Sequence, residues 1–396
     1  MWIKRDFEYF LSSLRQEKAH PVKVLKGPRQ VGKTSLLEHG GKYLIVQLDD
    51  FQTRQRAQEN PRLFLDQFAQ PIVLDEATLA PELFPELKRR VDDFRSKKRR
   101  NLESKEIDIW ITGSNQTLLD RAVQESLAGR ASYFDLNTLS VHEIGELNLS
   151  KIMLKGGWPE LHANPEMPPT RYINELISTF IEKDIVAAAG IERRAAFVKT
   201  TALAAGRIGQ LFNASDIAKN VGVETSTVQS WIAKLQQNAI VRVLLPYFTN
   251  LNQRLIKTPK IYFEDVGLAS RLQGWTEYNP LFTSPLFGHL LENIGLIEIS
   301  RFFSNRGEVS DVYFLRSKEK VEIDFLVRLP NNRWLAAEMK STPVDFTRQQ
   351  IDLLRSLSLN VVANWVIAPT SESFEFEKSR VVPLLAVHKE LAQLCS

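Results

Sequence analysis

Eight residues near the start of the chain, Gly27-Pro28-Arg29-Gln30-Val31-Gly32-Lys33-Thr34, match the phosphate-binding loop pattern in full. The pattern constrains architecture as well as ligand. Residues 22–25 are mostly apolar and read as a strand, while Ser35-Leu36-Leu37-Glu38 reads as a helix start. Glycines let the backbone curl so that its N–H groups face an anion, and the helix N-terminus behind it, beginning around Ser35, adds a favourable dipole. Lys33 can reach the β- and γ-phosphates, and the Thr34 hydroxyl can ligate Mg²⁺. The expected ligand is a nucleoside triphosphate, ATP, with Mg²⁺.

A parallel α/β sheet follows from what comes next. Residues 43–50 and 71–76 read as buried strands, the second ending in Asp75-Glu76. An apolar strand that ends in two acids is a Walker B pattern: Asp75 would complete the Mg²⁺ shell and Glu76 would position or polarise the attacking water. A fourth strand, 107–112, runs into Gly113-Ser114-Asn115, and Ser114 and Asn115 are candidates to sense the γ-phosphate, although such a tripeptide is also a good turn. Arg130, after Gly129, is a candidate to stabilise phosphoryl charge in its own subunit or a neighbour's; the plainer reading is a surface arginine behind a helix-ending glycine. Ser96-Lys97-Lys98-Arg99-Arg100 reads as a solvated loop rather than a nucleic-acid patch.

Composition excludes several classes. A chain of 396 residues has room for two or three domains at roughly 100–200 residues each. With 43% hydrophobic and 25% charged residues it is ordinary globular material, and a net charge of +4 is too small to imply nucleic-acid binding by itself. The single cysteine, Cys395, allows no intrachain disulfide, so a reducing compartment is expected. No apolar run is long enough to span a bilayer and the charged start is not a signal peptide, so the expected location is cytoplasmic, with no membrane partner.

Taken together, the strings GPRQVGKTSLL, PIVLDEATLAPELFPELKRRVD, TGSNQ, ESLAGRA and GGWPE resemble a family of bacterial and archaeal AAA-type ATPases. In that family the carboxyl half is described only as a domain of unknown function. The likeness runs from about residue 7 to residues 338–340, and it implies ATP binding without a settled biological role.

Past residues 147–155 the Gly156-Gly157-Trp158-Pro159-Glu160 segment and a proline-rich stretch break any helix. Amphipathic helices are expected over 171–185 and 194–208, as a lid over the nucleotide. Residues 214–223 and 224–235 read as a helix-turn-helix, the second helix capped by Thr225 or Ser226, with 240–245 and 260–263 as the strands of a wing. Thr225, Thr227, Gln229, Ser230 and Lys234 on the second helix bring one positive charge, so DNA contact rests on Arg242, Arg254, Lys257 and Lys260; a protein-packing winged helix is the alternative.

In the last part, a helix from 287 to 302 carries Glu292, and strands follow at 312–316, 321–327 and 334–340. Asp324 on one strand and Glu338-Met339-Lys340 on the next resemble restriction-like nucleases of the PD-(D/E)xK kind. On a strand, Glu338 and Lys340 share a face. Asp324 and Glu338 would hold a divalent cation, Lys340 would orient water, and Glu292 would be an additional acid. The alternative is an exposed charge pair guarding an edge strand.

The expected organisation is a P-loop three-layer α/β ATPase domain (1–150), a helical lid with a winged helix (151–280) and an α+β nuclease-like domain (281–396). The expected function is a Mg²⁺-dependent ATPase acting as a switch for a macromolecular partner, either DNA, another protein or a second copy of the chain. The alternatives are an ATP-controlled DNA nuclease and a slowly hydrolysing, ATP-dependent scaffold for a protein.

Overall fold

The computed structural model describes residues 2–14, 21–41, 43–103, 106–248 and 257–396. Its first sheet has five parallel strands: β1 (Val22–Lys26), β2 (Leu44–Gln47), β3 (Ile72–Asp75), β4 (Ile109–Thr112) and β5 (Ala131–Asp135). They lie in the order β2-β3-β4-β1-β5. Strand side chains alternate between faces, and each face has its own core. Val22, Val24, Ile72, Leu74, Ile109 and Ile111 pack under the helices Leu83–Arg99 and Gln116–Leu127. Leu25, Val73 and Trp110 face the other way, toward Phe7, Leu11, Leu36 and Leu37. Covering both faces explains why β3 and β4 read as unbroken apolar runs. Edge strand β5, Ala-Ser-Tyr-Phe-Asp, lacks that signature because it is only partly covered.

Two sequence expectations change here. Lys97, Lys98 and Arg99 are not in a loop; they form the last turn of the helix Leu83–Arg99, where their charge complements the helix dipole, and Lys97 pairs with Asp93 at 2.9 Å. The helix expected over 171–185 is an α-helix only at Pro169–Leu176, then takes π-type winding over Ile177–Ile185. Its buried face is formed by Tyr172, Ile173, Leu176, Phe180, Ile181 and Ile185.

The middle of the chain pairs the helices Ala214–Val221 and Thr225–Gln237 across Gly222, whose φ of 76° lets its N–H reach the carbonyl of Ala218. The second helix starts at Thr225 behind Glu224 and has no side-chain cap, contrary to the expectation for Thr225 or Ser226. Strands β6 (Val241–Leu244) and β7 (Lys260–Phe263) form an antiparallel pair beside it. Asn238 donates to the Thr117 hydroxyl at 3.0 Å, fastening this helix pair to the first domain.

The third unit starts with the helix Phe287–Ser304, which is buried on nearly every side. It packs on a mixed sheet of β8 (Val312–Arg316), β9 (Glu322–Leu329), β10 (Arg333–Met339), β11 (Val361–Ala368), β12 (Phe374–Glu375) and β13 (Arg380–Pro383). The order is β12-β13-β11-β10-β9-β8. Strands β8, β9 and β10 run antiparallel; β10, β11 and β13 run parallel, with the helix Arg348–Arg355 between β10 and β11. One apolar core runs from the Phe7 face of the first sheet through Tyr262 to Leu391, while the other face of the carboxyl-terminal sheet has its own cluster around Ile323, Leu326 and Trp334.

Candidate functional site

The phosphate loop joins β1 to the helix Lys33–Gly41. Gly27 has φ 147°, and a Cβ there would lie 1.8 Å from the carbonyl oxygen of Leu136, so only glycine fits. Gly32 (φ 86°) and Gln30 (φ 61°) also take positive φ, a backbone form that turns successive N–H groups toward one concavity. Pro28 and Val31 are buried beneath the loop, whereas Arg29, Gln30 and Ser35 are exposed. Val31 is held from behind by an unanticipated residue. Arg5 donates to the carbonyls of Val31 (3.0 Å) and Asn137 (2.8 Å) and to Glu143 (2.9 Å). It lies before the first helix, with no motif to mark it.

Lys33 is buried and folds back on its own loop, donating to the carbonyls of Gly27 and Pro28 at 2.8 Å each. Burial lowers its ammonium to about 8, against the attraction of Glu76 and Asp75. The Thr34 hydroxyl lies 3.0 and 2.9 Å from the two carboxylate oxygens of Asp75. Asp75 also accepts from the Thr112 hydroxyl, a wholly buried group at the end of β4. Sequence reasoning missed Thr112 and looked two and three residues further on. Its role depends on strand order: β4 lies between β1 and β3, opposite Leu25 on one side and level with the acid on the other.

Glu76 takes φ 54° and accepts from the Ser114 backbone N–H and hydroxyl at 3.0 Å each. Ser114 therefore reaches the acid pair. Asn115 does not: its side chain caps the helix Gln116–Leu127 by accepting from Leu118 N–H at 3.0 Å. Nor does Arg130 reach the loop. Its neighbour Ala131 pairs with Val22 at the opposite end of β1, roughly 16 Å away along the strand. There Arg130 holds Asp92 through two bonds of 2.7 and 3.1 Å.

Beside the loop lies a cavity of about 730 Å³. The loop and its helix line one wall with Gln30, Gly32 and Ser35; Pro159, Glu160 and Tyr172 line another. The Gly-Gly-Trp-Pro-Glu segment and the helix Pro169–Leu176 thus flank the phosphate loop. The second expected lid helix, Arg194–Ala205, instead packs among the helix pair and β7.

A second cluster forms where β7, the helix Phe287–Ser304, β9 and β10 meet. It unites Glu292, Asp324, Glu338 and Lys340, and adds Lys260, Tyr262 and Glu322. Lys340 lies 2.5 Å from Glu338 and 3.3 Å from Asp324, and Asp324 accepts from the Met339 N–H at 2.9 Å. Burial, with the mutual repulsion of the acids, raises both the Asp324 and Glu338 carboxyls. Burial works the same way on Glu292, but Lys260, His289 and Tyr262 hold that carboxyl down at about 2. Lys260 donates to Glu292 at 2.8 Å and also pairs with Glu322.

That arrangement corrects the expected wing. Lys260 is 2% exposed and cannot touch DNA. Arg242 is engaged with Glu264 (2.8 Å) and Ser300 (3.0 Å). Lys257 lies over the Phe248 ring at 4.2 Å, and Arg254 falls outside the described residues. The outward face of the helix Thr225–Gln237 presents Thr225, Gln229 and Ser230, all neutral.

Residues 19–145 match the family described as AAA domain. Residues 146–279 and 287–387 match two families described as domain of unknown function, DUF8612 and DUF4143. The uncharacterized protein Rv2008c of Mycobacterium tuberculosis is 30% identical over 326 residues, covering 81% of this chain and 70% of that protein. Mb2031c of Mycobacterium bovis matches to the same extent. Among solved structures, the Walker-type ATPase paby2304 of Pyrococcus abyssi has 15% identity and a TM-score of 0.42, covering 68% of this chain and 96% of that one. The chain belongs to the family of these mycobacterial proteins, and its first domain is an AAA-type, ATP-binding ATPase domain. Among the described residues, no helix is long and apolar enough to cross a membrane.

Proposed function

We propose that the chain is an ATP-driven switch in which one nucleotide touches two modules at once. The observation that carries this reading is the cavity beside the phosphate loop, whose walls come from both the AAA domain and the segment 159–175. Triphosphate would lie on the loop N–H groups, and the base would enter the cavity. A threonine hydroxyl beside a carboxylate fits a hard cation, so Thr34 and Asp75 would hold Mg²⁺, which supplies charge neutralisation on the phosphates. Lys33 would exchange the carbonyls of Gly27 and Pro28 for phosphate oxygens. Glu76, oriented by Ser114, would hold the attacking water as a base. Thr112 would keep Asp75 aimed at the cation through its hydrogen bond.

Binding would draw the helix Pro169–Leu176 toward the loop, and the helix pair fastened through Asn238 and Thr117 would carry that change outward. The neutral exposed positions of its second helix favour a protein partner over DNA. Steady-state ATP turnover of Lys33→Ala and Glu76→Gln tests the reading. Loss in both, with ATP still bound by Glu76→Gln, is expected; wild-type turnover in either overturns it.

A second reading, ATP-controlled DNA cleavage at a PD-(D/E)xK-like site beside a winged helix, draws on the convergence of Asp324, Glu338 and Lys340. Mg²⁺- or Mn²⁺-dependent nicking that disappears in Lys340→Ala would support it. Absence of cleavage on single- and double-stranded DNA removes it.

A further inference from the structure

Three parts of the chain that are remote in sequence meet at Asp6, His142 and His388. Asp6 immediately precedes the helix Phe7–Leu14, His142 lies in the short helix Val141–Ile144, and His388 opens the final helix Val387–Cys395. One Asp6 carboxylate oxygen is 3.1 Å from His388 Nδ1 and 3.8 Å from His142 Nε2. The two imidazole rings stand 4.7 Å apart, tilted by 30°. A donor atom from each residue lies within 4.8 Å of the other two.

The far side of His388 fixes its tautomer. Its Nε2 lies 3.0 Å from the backbone carbonyl of Glu298, an acceptor, so Nε2 carries a proton and Nδ1 is the nitrogen that faces Asp6. At 3.1 Å from that carboxylate oxygen, Nδ1 holds either a second proton or a shared metal ion. Glu298 is fully buried and, among the described ion pairs, its one cationic partner is His388, at 3.6 Å.

A proton on Nδ1 would account for His388 and Asp6 but not for His142, whose Nε2 points at the same oxygen from beyond hydrogen-bond distance. A metal accounts for all three. Tetrahedral ligands at about 2.0–2.1 Å from the ion stand about 3.3 Å from one another, between the two separations seen. An imidazole whose other nitrogen donates to a backbone carbonyl is the usual outer support of a metal-bound histidine. A cavity of about 530 Å³, lined by Phe10, Arg306 and Lys389 as well as the three candidate ligands, lies alongside and leaves a fourth position accessible.

We propose that Asp6, His142 and His388 bind a divalent transition metal of the zinc class, with three protein ligands and one open position. The ion clasps the start of the chain, the AAA domain and the last helix. Because these ligands converge only in the folded chain, the ion stabilises the fold by linkage.

The test uses the full-length protein treated with a chelator, its folding checked by circular dichroism. Zn²⁺ is titrated by calorimetry and Co²⁺ by visible absorption. The expected result is one ion per chain, a tetrahedral Co²⁺ spectrum and a thermal midpoint raised by Zn²⁺. His142→Ala, at an exposed position, is expected to keep the wild-type circular dichroism and to weaken binding at least about 100-fold. Asp75→Asn and Asp324→Asn, which alter the other acidic clusters, retain it. Less than one equivalent bound, or affinity unchanged in His142→Ala, overturns the proposal and assigns the contact to a protonated His388.

Discussion

The ammonium of Lys260, on β7, lies 2.8 Å from the carboxylate of Glu292, on the helix Phe287–Ser304. The strand expected to carry a phosphate-touching lysine instead supplies the resident cation of a buried acidic cluster. Lys260 ties the middle of the chain to the carboxyl-terminal sheet, and any divalent ion at Glu292, Glu322 and Asp324 would have to displace it.

Removing one partner of such a pair leaves a buried charge unmatched. Lys260→Met is expected to destabilise the protein by about 3–5 kcal/mol in denaturant unfolding. Lys260→Met combined with Glu292→Leu should lose less than the single change. A double variant as unstable as the single one would show that Glu292 is not left stranded.

The same pair sets a pH dependence. The folded Glu292 carboxyl, held at about 2, lies below its unfolded value of about 4.3. Its contribution is therefore present above pH 4.3 and is lost as pH falls toward 2. Glu292→Gln should flatten the acid limb of a stability–pH curve, measured by urea unfolding between pH 2 and 6.

Lys33 titrates in a different window. Its ammonium lies at about 8 in the folded chain against about 10.4 when unfolded, so the penalty on the folded state is full below pH 8 and is relieved as pH rises toward 10.4. A bound triphosphate favours the charged form. ATP binding at pH 8.5 should therefore take up a fraction of a proton, seen by calorimetry in buffers of different ionisation enthalpy. Lys33→Met should abolish that uptake.

Thr112 holds Asp75 from inside the sheet. Thr112→Val keeps the shape and removes the hydroxyl; the expected result is a 10- to 100-fold loss of Mg²⁺-dependent turnover, in the range of roughly 10–100 found when a ligand's support is removed. The loss should be reduced by high Mg²⁺, and Thr112→Ser should restore most of the activity. Equal rates for Val and wild type would remove the role assigned to Thr112.

Arg130 is bound to Asp92 at the end of the sheet away from the loop. Arg130→Ala should leave ATP turnover at dilute concentration unchanged. A loss that appears only as the concentration rises would mean that the residue acts on a neighbouring copy.

Motifs that are contiguous in the chain were legible without coordinates. The phosphate loop needs only Gly27, Gly32, Lys33 and Thr34 in one turn between strand and helix, and β3 announces itself because both faces of a parallel sheet are covered. Asp324, Glu338 and Lys340 were readable for a related reason, since strand alternation places residues 338 and 340 alike. Local physics decides such features, so sequence determines them. Arg5, Thr112, Lys260 and His388 carry no local signal, because each acts on a partner that chain order keeps distant. Arg5 reaches Val31 and Glu143, Thr112 meets Asp75 only because β4 is inserted between β1 and β3, and His388 closes on Asp6 from the other end of the chain. Strand order and packing decide those meetings, and neither is written in any one segment.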